Sequence, residues 1–290
     1  MPHVGVWDFF VSLILGLVEG LTEFAPVSST GHMILVDDLL LHSKDIFPES
    51  VANSFKVVIQ LGSILAVLVV FRNRFIDLLG LNQLFGKRSR PTANGAGAGQ
   101  GGRLKLAQVI VGLIPAGIVG VLFEDMIDEY LFSMETVLIG LVLGGILMIV
   151  ADKFAPRKPK AETVDKITYK QALAIGLFQC LGLWPGFSRS GSTISGGVLL
   201  GMSHRAAADF TFIMAVPIMA GASLVSLYKH WDSFTPDALP FFIVGFISAF
   251  IFALLSIRFF LKLIQRVKLV PFAIYRFVLA AIIAIALYVF

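Results

Sequence analysis

Long apolar runs recur along the whole of this chain, and no other feature of the sequence restricts its fold so strongly. A helix needs about 20 apolar residues to cross the hydrocarbon core of a bilayer. With 57% hydrophobic and 14% charged residues and a mean hydropathy of +0.87, the composition is typical of an integral membrane protein. We predict an all-α, polytopic membrane protein with one integral membrane domain, residues 1–290. Its six full transmembrane helices are expected at residues 51–71, 106–123, 136–151, 206–227, 240–260 and 271–290.

Two further apolar stretches, residues 7–41 and 169–202, are interrupted by polar residues. Pro26 lies within the first interruption and Pro185 within the second, so each stretch is expected to form a helix, a loop and a helix. Unpaired backbone cannot face lipid, so a loop at membrane depth must be buried in protein or line a wet cavity. We therefore predict two re-entrant helix hairpins in addition to the six full spans.

The two interrupted stretches are also related to each other in sequence. A shift of 160 positions places residues 16–21 on residues 176–181, and it places Ser29 on Arg189. Chance similarity between apolar segments is the alternative explanation. A duplicated unit of one hairpin and three spans crosses the membrane an odd number of times, so its second copy is inverted. We predict inverted repeats at about residues 7–152 and 168–290, with the two hairpin tips meeting near the membrane midplane.

The distribution of charge predicts the orientation, because Lys and Arg collect in cytoplasmic loops. Basic residues are concentrated at residues 72–105, 153–170 and 262–268, whereas acidic residues fill residues 37–49, 124–135 and 232–237. This pattern predicts that both chain termini lie outside the cytoplasm and that the site opens to the outside. The same loops account for the net charge of +4, so no nucleic-acid partner is expected.

Glu19 and Glu23 are four residues apart in an apolar helix, so both carboxylates project from one helix face. Ionisable groups inside membrane segments usually face a cavity and mark a functional site. Two hard oxygen ligands one turn apart suit Mg²⁺ or Ca²⁺, and we predict such a divalent cation as a cofactor. The alternative is a pair of packing glutamates that are protonated or neutralised by an arginine.

Three hydroxyls and one imidazole lie close together at the turn of the first hairpin, on Ser28, Ser29, Thr30 and His32. A serine and a histidine near a carboxylate reproduce the pairing of a nucleophile with a general base. The alternative is a helix cap built from Ser and Thr beside a histidine without a role.

The turn of the second hairpin, residues 185–193, combines a guanidinium, hydroxyls and glycines at a helix start, an arrangement that binds anions. Arg189 is expected to hold phosphate bidentately and to stabilise charge on a transferring phosphoryl group. An ion pair of Arg189 with Glu19 or Glu23 is the alternative. The predicted phosphate-binding residues are Ser28, Thr30, Ser188, Arg189, Ser190 and Thr193.

Two weaker features carry less information. The glycine-rich residues 97–102 match a dinucleotide fingerprint but follow no strand, so they are interpreted as a linker. Gly112, Ala116 and Gly120 recur every four residues, which favours close helix packing within the chain or between subunits. The sequence therefore leaves a homodimer open.

Residues 19–32 and 185–191 closely resemble the bacterial undecaprenyl-pyrophosphate phosphatases, the BacA-type bacitracin resistance proteins, and the similarity extends over essentially the whole chain. The departures, Ala25 where Leu is common and Ser192 where Ala is common, do not touch the expected chemistry. The resemblance implies a multi-pass protein of the bacterial cytoplasmic (inner) membrane. It implies release of the terminal phosphate of undecaprenyl diphosphate at the outer face, which recycles the lipid carrier of peptidoglycan synthesis and confers bacitracin resistance.

The resemblance also implies a metal or acid–base role for Glu19 and Glu23 and a requirement for Ser29, His32 and Arg189. Our hypothesis is that Ser29 attacks the terminal phosphorus, His32 accepts the serine proton, and Arg189 and the metal stabilise the developing charge. Attack by a metal-activated water with Ser29 as a ligand is an alternative, and Ser28 or Thr30 could replace Ser29. A transporter or lipid flippase using the same inverted-repeat site is the rival function.

Overall fold

The computed structural model of the chain describes residues 5–43, 49–81, 103–229 and 238–288. In these ranges the only β-type pairing is an isolated bridge between Ala161 and Met202, so the all-α prediction is confirmed. Twelve α-helices are present in the described ranges: α1 (Val6–Thr22), α2 (Ser29–Met33), α3 (Glu49–Val70), α4 (Arg72–Leu78), α5 (Leu106–Leu122), α6 (Glu124–Leu131), α7 (Met134–Phe154), α8 (Tyr169–Leu181), α9 (Arg189–Leu199), α10 (His204–Lys229), α11 (Leu239–Val267) and α12 (Val270–Tyr288). A π-helical segment, Ile34–Leu41, continues α2, and a short 3₁₀ turn, Val164–Lys166, precedes α8.

All six predicted spans fall on helices. Among the described residues, α7, α10, α11 and α12 are each long and apolar enough to cross a membrane. The other two spans belong to bent pairs: residues 54–70 of α3 turn by 80° into α4, and α5 turns sharply into α6. The prediction of six spans therefore holds when each bent pair counts as one crossing, and the chain is a polytopic membrane protein.

The outer surface of the helices matches a lipid environment. On α11, Ile243, Ile247, Ile251 and Leu255 recur every four residues and are each about half exposed, from 47% to 55%. A stripe of large apolar side chains at helical spacing faces outward on a membrane helix because lipid is its solvent. By contrast, every residue of α9 from Ser190 to Val198 is buried. The short helix of the second hairpin is thus enclosed by protein, as broken helices in a membrane require.

The two hairpins have the same local structure at equivalent positions. Ser28 has φ/ψ of 73°/100° and Ser188 has 72°/113°, and positive φ is uncommon for a residue other than glycine. Each serine is the N-cap of the next helix, and its hydroxyl accepts a hydrogen bond from the backbone N–H of Gly31 or Gly191. These positions are related by the shift of 160 residues, so the backbone geometry supports the internal duplication.

Close helix contacts repeat the same relationship. Gly16 of α1 lies so close to the backbone of α11 that a Cβ would overlap the carbonyl oxygen of Gly245. Its counterpart Gly176 of α8 lies equally close to the carbonyl oxygen of Gly112 in α5. The first hairpin therefore packs on a helix of the second half, and the second hairpin on a helix of the first half. The repeat boundaries at about residues 7–152 and 168–290 stay a prediction.

The small-residue stripe of α5 is used within the chain. A Cβ added to Gly112 would overlap the sulfur of Met214, and Ala116 is buried. A Cβ added to Gly120 would lie 3.8 Å from the nearest side-chain atom of Leu183, so the packing is looser there. A homodimer stays a prediction. The predicted linker at residues 97–102 and the charged Lys87, Arg88, Arg90, Asp45, Asp232 and Asp237 lie outside the described residues, so the orientation also stays a prediction.

Candidate active site

The tips of the two hairpins contact each other directly. Arg189 Nη2 donates a hydrogen bond of 2.9 Å to Glu23 Oε1, and both side chains are largely buried, with 14% and 10% of their surface exposed. Ser190 Oγ donates a second bond across the junction, 3.1 Å to the carbonyl oxygen of Ala25. The two tips therefore meet, as predicted, and the ion pair that was the alternative interpretation of Arg189 is present with one of the two glutamates.

Glu23 also binds the neighbouring hydroxyl of its own hairpin. Ser29 Oγ donates to Glu23 Oε2 over 2.7 Å, while Arg189 occupies the other carboxylate oxygen. The helix α1 ends at Thr22, and the chain turns back so that α2 begins at Ser29 with its side chain facing the end of α1. Glu23 is thus the residue that joins a hydroxyl from one hairpin to a guanidinium from the other.

A cavity of about 250 Å³ opens at this junction. Of the predicted site residues, Glu23, Ser28, Ser29, Thr30, Ser188 and Arg189 line it. The same cavity is lined by residues that the sequence analysis did not single out, including Gln60, Gln179, Trp184, Ile218 and Met219. Both hairpins therefore contribute polar side chains to the lining of the cavity, and α10 contributes apolar ones.

Ser190 and Thr193 do not line the cavity. Both are buried, with 1% and 0% of their surface exposed, and Thr193 Oγ1 donates 2.8 Å to the carbonyl oxygen of Arg189. Thr193 in turn accepts a hydrogen bond from Thr211. These hydroxyls are used to hold α9 and its first residue in place. The structure therefore does not bring them to the position expected of phosphate ligands.

His32 is not brought to Ser29. Its Nδ1 lies 2.7 Å from the carbonyl oxygen of Ser28, and its Nε2 lies 2.7 Å from the hydroxyl of Tyr275, on whose ring the imidazole stacks. A carbonyl only accepts, so Nδ1 carries a proton, and in the neutral imidazole Nε2 accepts from the hydroxyl of Tyr275. His32 also lines a separate, mainly apolar cavity between α1, α11 and α12. The expected pairing of Ser29 with His32 is therefore replaced by the pairing of Ser29 with Glu23.

Glu19 is buried one turn before Glu23, with 5% of its surface exposed, and it is close enough to interact electrostatically with Glu23 and Arg189. Within the described ranges, no cluster of three or more His, Cys, Asp or Glu side chains is placed to hold a metal. Mg²⁺, however, is commonly bound by one or two carboxylates together with substrate phosphates and water. Glu23 in a cavity lined by hydroxyls, with Glu19 behind it, fits that kind of donor set.

Arg276 is a site residue that the sequence analysis missed. It is completely buried and donates hydrogen bonds to four carbonyl oxygens: Gly140 (3.1 Å) and Leu141 (3.1 Å) of α7, and Gly186 (2.8 Å) and Phe187 (2.8 Å) of the second hairpin turn. It thereby fixes the turn that precedes Ser188 and Arg189. An isolated arginine in the apolar run of α12 was the signal that could have revealed it.

The fold and site together define a polytopic membrane protein with a polar cavity at the junction between two broken helical hairpins. Residues 12–282 match the family model of the bacitracin resistance protein BacA. The chain belongs to this family.

Curated relatives match almost the full length of the chain. The undecaprenyl-diphosphatase of Geobacillus sp. (strain WCH70) is 70% identical over 278 residues, which cover 96% of this chain and 97% of the relative. The undecaprenyl-diphosphatase of Bacillus subtilis (strain 168) is 62% identical over 277 residues, with the same coverage of both chains. That of Geobacillus kaustophilus (strain HTA426) is 66% identical over 276 residues, covering 95% of this chain and 97% of the relative.

Proposed function

We propose that this protein hydrolyses undecaprenyl diphosphate to undecaprenyl phosphate and inorganic phosphate. The relatives at 62–70% identity carry the name undecaprenyl-diphosphatase, which supports this substrate and this reaction. The single observation that carries the chemistry is the hydrogen-bonded series Ser29, Glu23 and Arg189 at the edge of the cavity. It combines a hydroxyl nucleophile, a carboxylate that can accept its proton, and a cation for phosphate.

In the proposed reaction, Ser29 Oγ attacks the terminal phosphorus of the diphosphate while Glu23 Oε2 accepts the serine proton. The bond from this phosphorus to the bridging oxygen breaks, and the bridging oxygen leaves with undecaprenyl phosphate. Glu23 passes the serine proton to the departing undecaprenyl phosphate or to solvent. It then accepts a proton from the water that attacks the phosphoserine and returns that proton to Ser29 Oγ as inorganic phosphate leaves. Arg189 stabilises the charge on the phosphoryl oxygens.

Glu23, with Glu19, is the proposed binding site for Mg²⁺ or Ca²⁺. Such a cation would neutralise part of the diphosphate charge when it is bound. We assign His32 a positioning role, because its ring joins the carbonyl of Ser28 to Tyr275. This assignment replaces the general-base role expected from the sequence.

The decisive experiment is phosphate release by purified protein in detergent, with undecaprenyl diphosphate and Mg²⁺ or Ca²⁺. Ser29→Ala should reduce kcat at least about 10²-fold, and Ser133→Ala, which removes a hydroxyl at the start of α7, should not. Near-normal release by Ser29→Ala, together with loss in Ser28→Ala or Thr30→Val, would move the nucleophile to that residue. Intact substrate with wild-type protein would favour a lipid carrier or flippase.

We also propose that the site faces the outside of the bacterial cytoplasmic membrane, with both termini outside. There the reaction would return the lipid carrier to peptidoglycan synthesis and confer bacitracin resistance. A reporter fused to the carboxyl terminus should be active outside the cytoplasm. Cytoplasmic reporter activity would turn the site inward and contradict this orientation.

A further inference from the structure

Gln179 of α8 has a buried carboxamide whose polar atoms are unused. It lines the cavity at the hairpin junction, and only 1% of its surface is exposed. Neither Nε2 nor Oε1 has a hydrogen-bond partner among the residues that the structure describes. A buried polar group without a partner costs folding free energy, and each such group in a native protein requires an explanation. Its position in the cavity wall makes a bound ligand the natural explanation.

Arg189 provides a second unused donor at the same place. Its Nη2 binds Glu23, but its Nη1 is buried and has no hydrogen-bond partner within the described part of the chain. Arg189 lines the same cavity as Gln179. Two N–H donors without a partner, one charged and one neutral, therefore belong to residues that line the same cavity.

Several other polar groups around the cavity are already engaged. The hydroxyls of Ser28 and Ser188 cap helices, and Trp184 Nε1 donates 2.9 Å to the carbonyl oxygen of Thr136. Gln60 Oε1 accepts from Ser223 at 3.4 Å. Ser29 donates to Glu23. Gln179 thus differs from the other glutamine of this cavity in having both ends of its amide unpaired.

The internal duplication gives a physical reason for an amide at this position. The shift of 160 residues places Glu19 on Gln179, so the first hairpin carries a carboxylate where the second carries a neutral amide. A carboxylate on both sides would repel phosphate and compete for Arg189. The amide keeps the length of the side chain, removes the charge and adds an N–H donor.

We propose that Gln179 is a substrate-binding residue whose Nε2 donates to a phosphate oxygen of the diphosphate beside Nη1 of Arg189. This inference rests on the proposed function for the identity of the substrate. It adds a specificity element that prefers a highly charged diphosphate, because two donors satisfy more phosphate oxygens than the guanidinium alone. Oε1 then faces the cavity as an acceptor for water.

The test uses Gln179→Met, which keeps the volume but removes the amide, and Gln179→Glu, which restores the charge. Gln179→Met should raise KM for undecaprenyl diphosphate about 10-fold or more with little change in kcat, and Gln179→Glu should raise it further. Gln265→Glu, the same chemical change at an exposed position on α11, should match wild type. An unchanged KM for both Gln179 variants would overturn the proposal.

A binding measurement separates this inference from the reaction itself. Inorganic pyrophosphate should raise the melting temperature of the detergent-solubilised wild type and of Gln265→Glu, but protect Gln179→Met much less. Without pyrophosphate, Gln179→Met should melt at or above the wild-type temperature, because it removes an unpaired buried amide. A destabilised Gln179→Met with normal pyrophosphate protection would show a packing role and contradict the proposal.

These results distinguish the two possible failures. If wild type releases no phosphate but pyrophosphate protection still depends on Gln179, the proposed function fails and the ligand role stands. If wild type is active and pyrophosphate protection of Gln179→Met equals that of wild type, the ligand role alone fails.

Discussion

Ser29 and Glu23 belong to the same hairpin and are joined by a hydrogen bond of 2.7 Å from the serine hydroxyl to the carboxylate. The other oxygen of this carboxylate accepts from Arg189 of the second hairpin. One acidic side chain therefore orients the proposed nucleophile and the proposed phosphate-binding cation. Neither half of the duplicated chain contains this arrangement by itself.

Glu23→Gln should remove most of the activity. The amide preserves the size of the side chain but cannot accept the serine proton, and it no longer pairs with Arg189 as an ion. General acid–base catalysis contributes about 10² to 10⁴ in rate, so kcat for phosphate release should fall by at least about 10². The measurement is release of phosphate from undecaprenyl diphosphate in detergent.

Glu124→Gln is the matched control for this change. Glu124 begins α6, is half exposed and pairs with the exposed Lys229, so its loss should leave kcat within about twofold of wild type. A Glu23→Gln enzyme that keeps more than about a tenth of wild-type kcat would remove Glu23 from the proton-transfer step.

The hairpins could be predicted because their signal is local. Polar residues break an apolar run, and the backbone rule for membranes then requires protein or water around the break. The meeting of the two tips was also predicted, because a shift of 160 positions relates them and inverted repeats meet near the midplane. The pairing of Arg189 with Glu23 was only the alternative to a free phosphate-binding arginine. The bends after α3 and α5 were not predicted. They fall where the charged residues Arg72 and Glu124 end each apolar run, and these residues indicate the end of a span but not the direction of the helix that follows.

The duplication makes a paired prediction about helix packing. Gly16→Ala and Gly176→Ala each place a Cβ against a backbone carbonyl, on Gly245 and Gly112, and backbone cannot move aside as a side chain can. Each substitution should destabilise the protein by roughly 1–3 kcal/mol. The measurement is the melting temperature of the detergent-solubilised variants.

Gly117→Ala supplies the control, because a Cβ at Gly117 meets no atom within 4 Å. It should be neutral or stabilising by up to about 1 kcal/mol, since alanine is the better helix former. If Gly16→Ala or Gly176→Ala melted like Gly117→Ala, the close packing of the hairpins on α11 and α5 would be contradicted.

Arg276→Met should weaken both stability and substrate binding. Four buried carbonyl oxygens lose the charged group that donates to them. A hydrogen bond from a charged group contributes about 1.5–3 kcal/mol to the free energy of unfolding. Because two of these carbonyls belong to the turn before Ser188, the variant should show a lower melting temperature and a raised KM. Arg266→Met, at an exposed position near the end of α11, should match wild type in both measurements.

An Arg276→Met protein with normal KM would show that the turn holds its position without the arginine.

The roles of Arg276 and Gln179 could not be derived from the sequence for a common reason. Each depends on partners more than 80 residues away or on the cavity between the hairpins, and neither lies in a cluster of polar residues. His32, by contrast, lies in such a cluster, and its neighbours in sequence suggested the wrong partner.

The positioning role of His32 is tested by two replacements that differ in their capacity to donate a hydrogen bond. His32→Asn can retain a donor toward the carbonyl of Ser28, near the place of Nδ1, whereas His32→Leu cannot. We expect His32→Asn to keep most of the kcat, and His32→Leu to lose more because the hairpin turn loses its anchor. Tyr275→Phe removes only the second contact and should reduce kcat less than about 10-fold. If His32 were a general base, His32→Asn and His32→Leu would be equally inactive, and both would change the pH dependence of kcat. That result would restore His32 to the proton-transfer step.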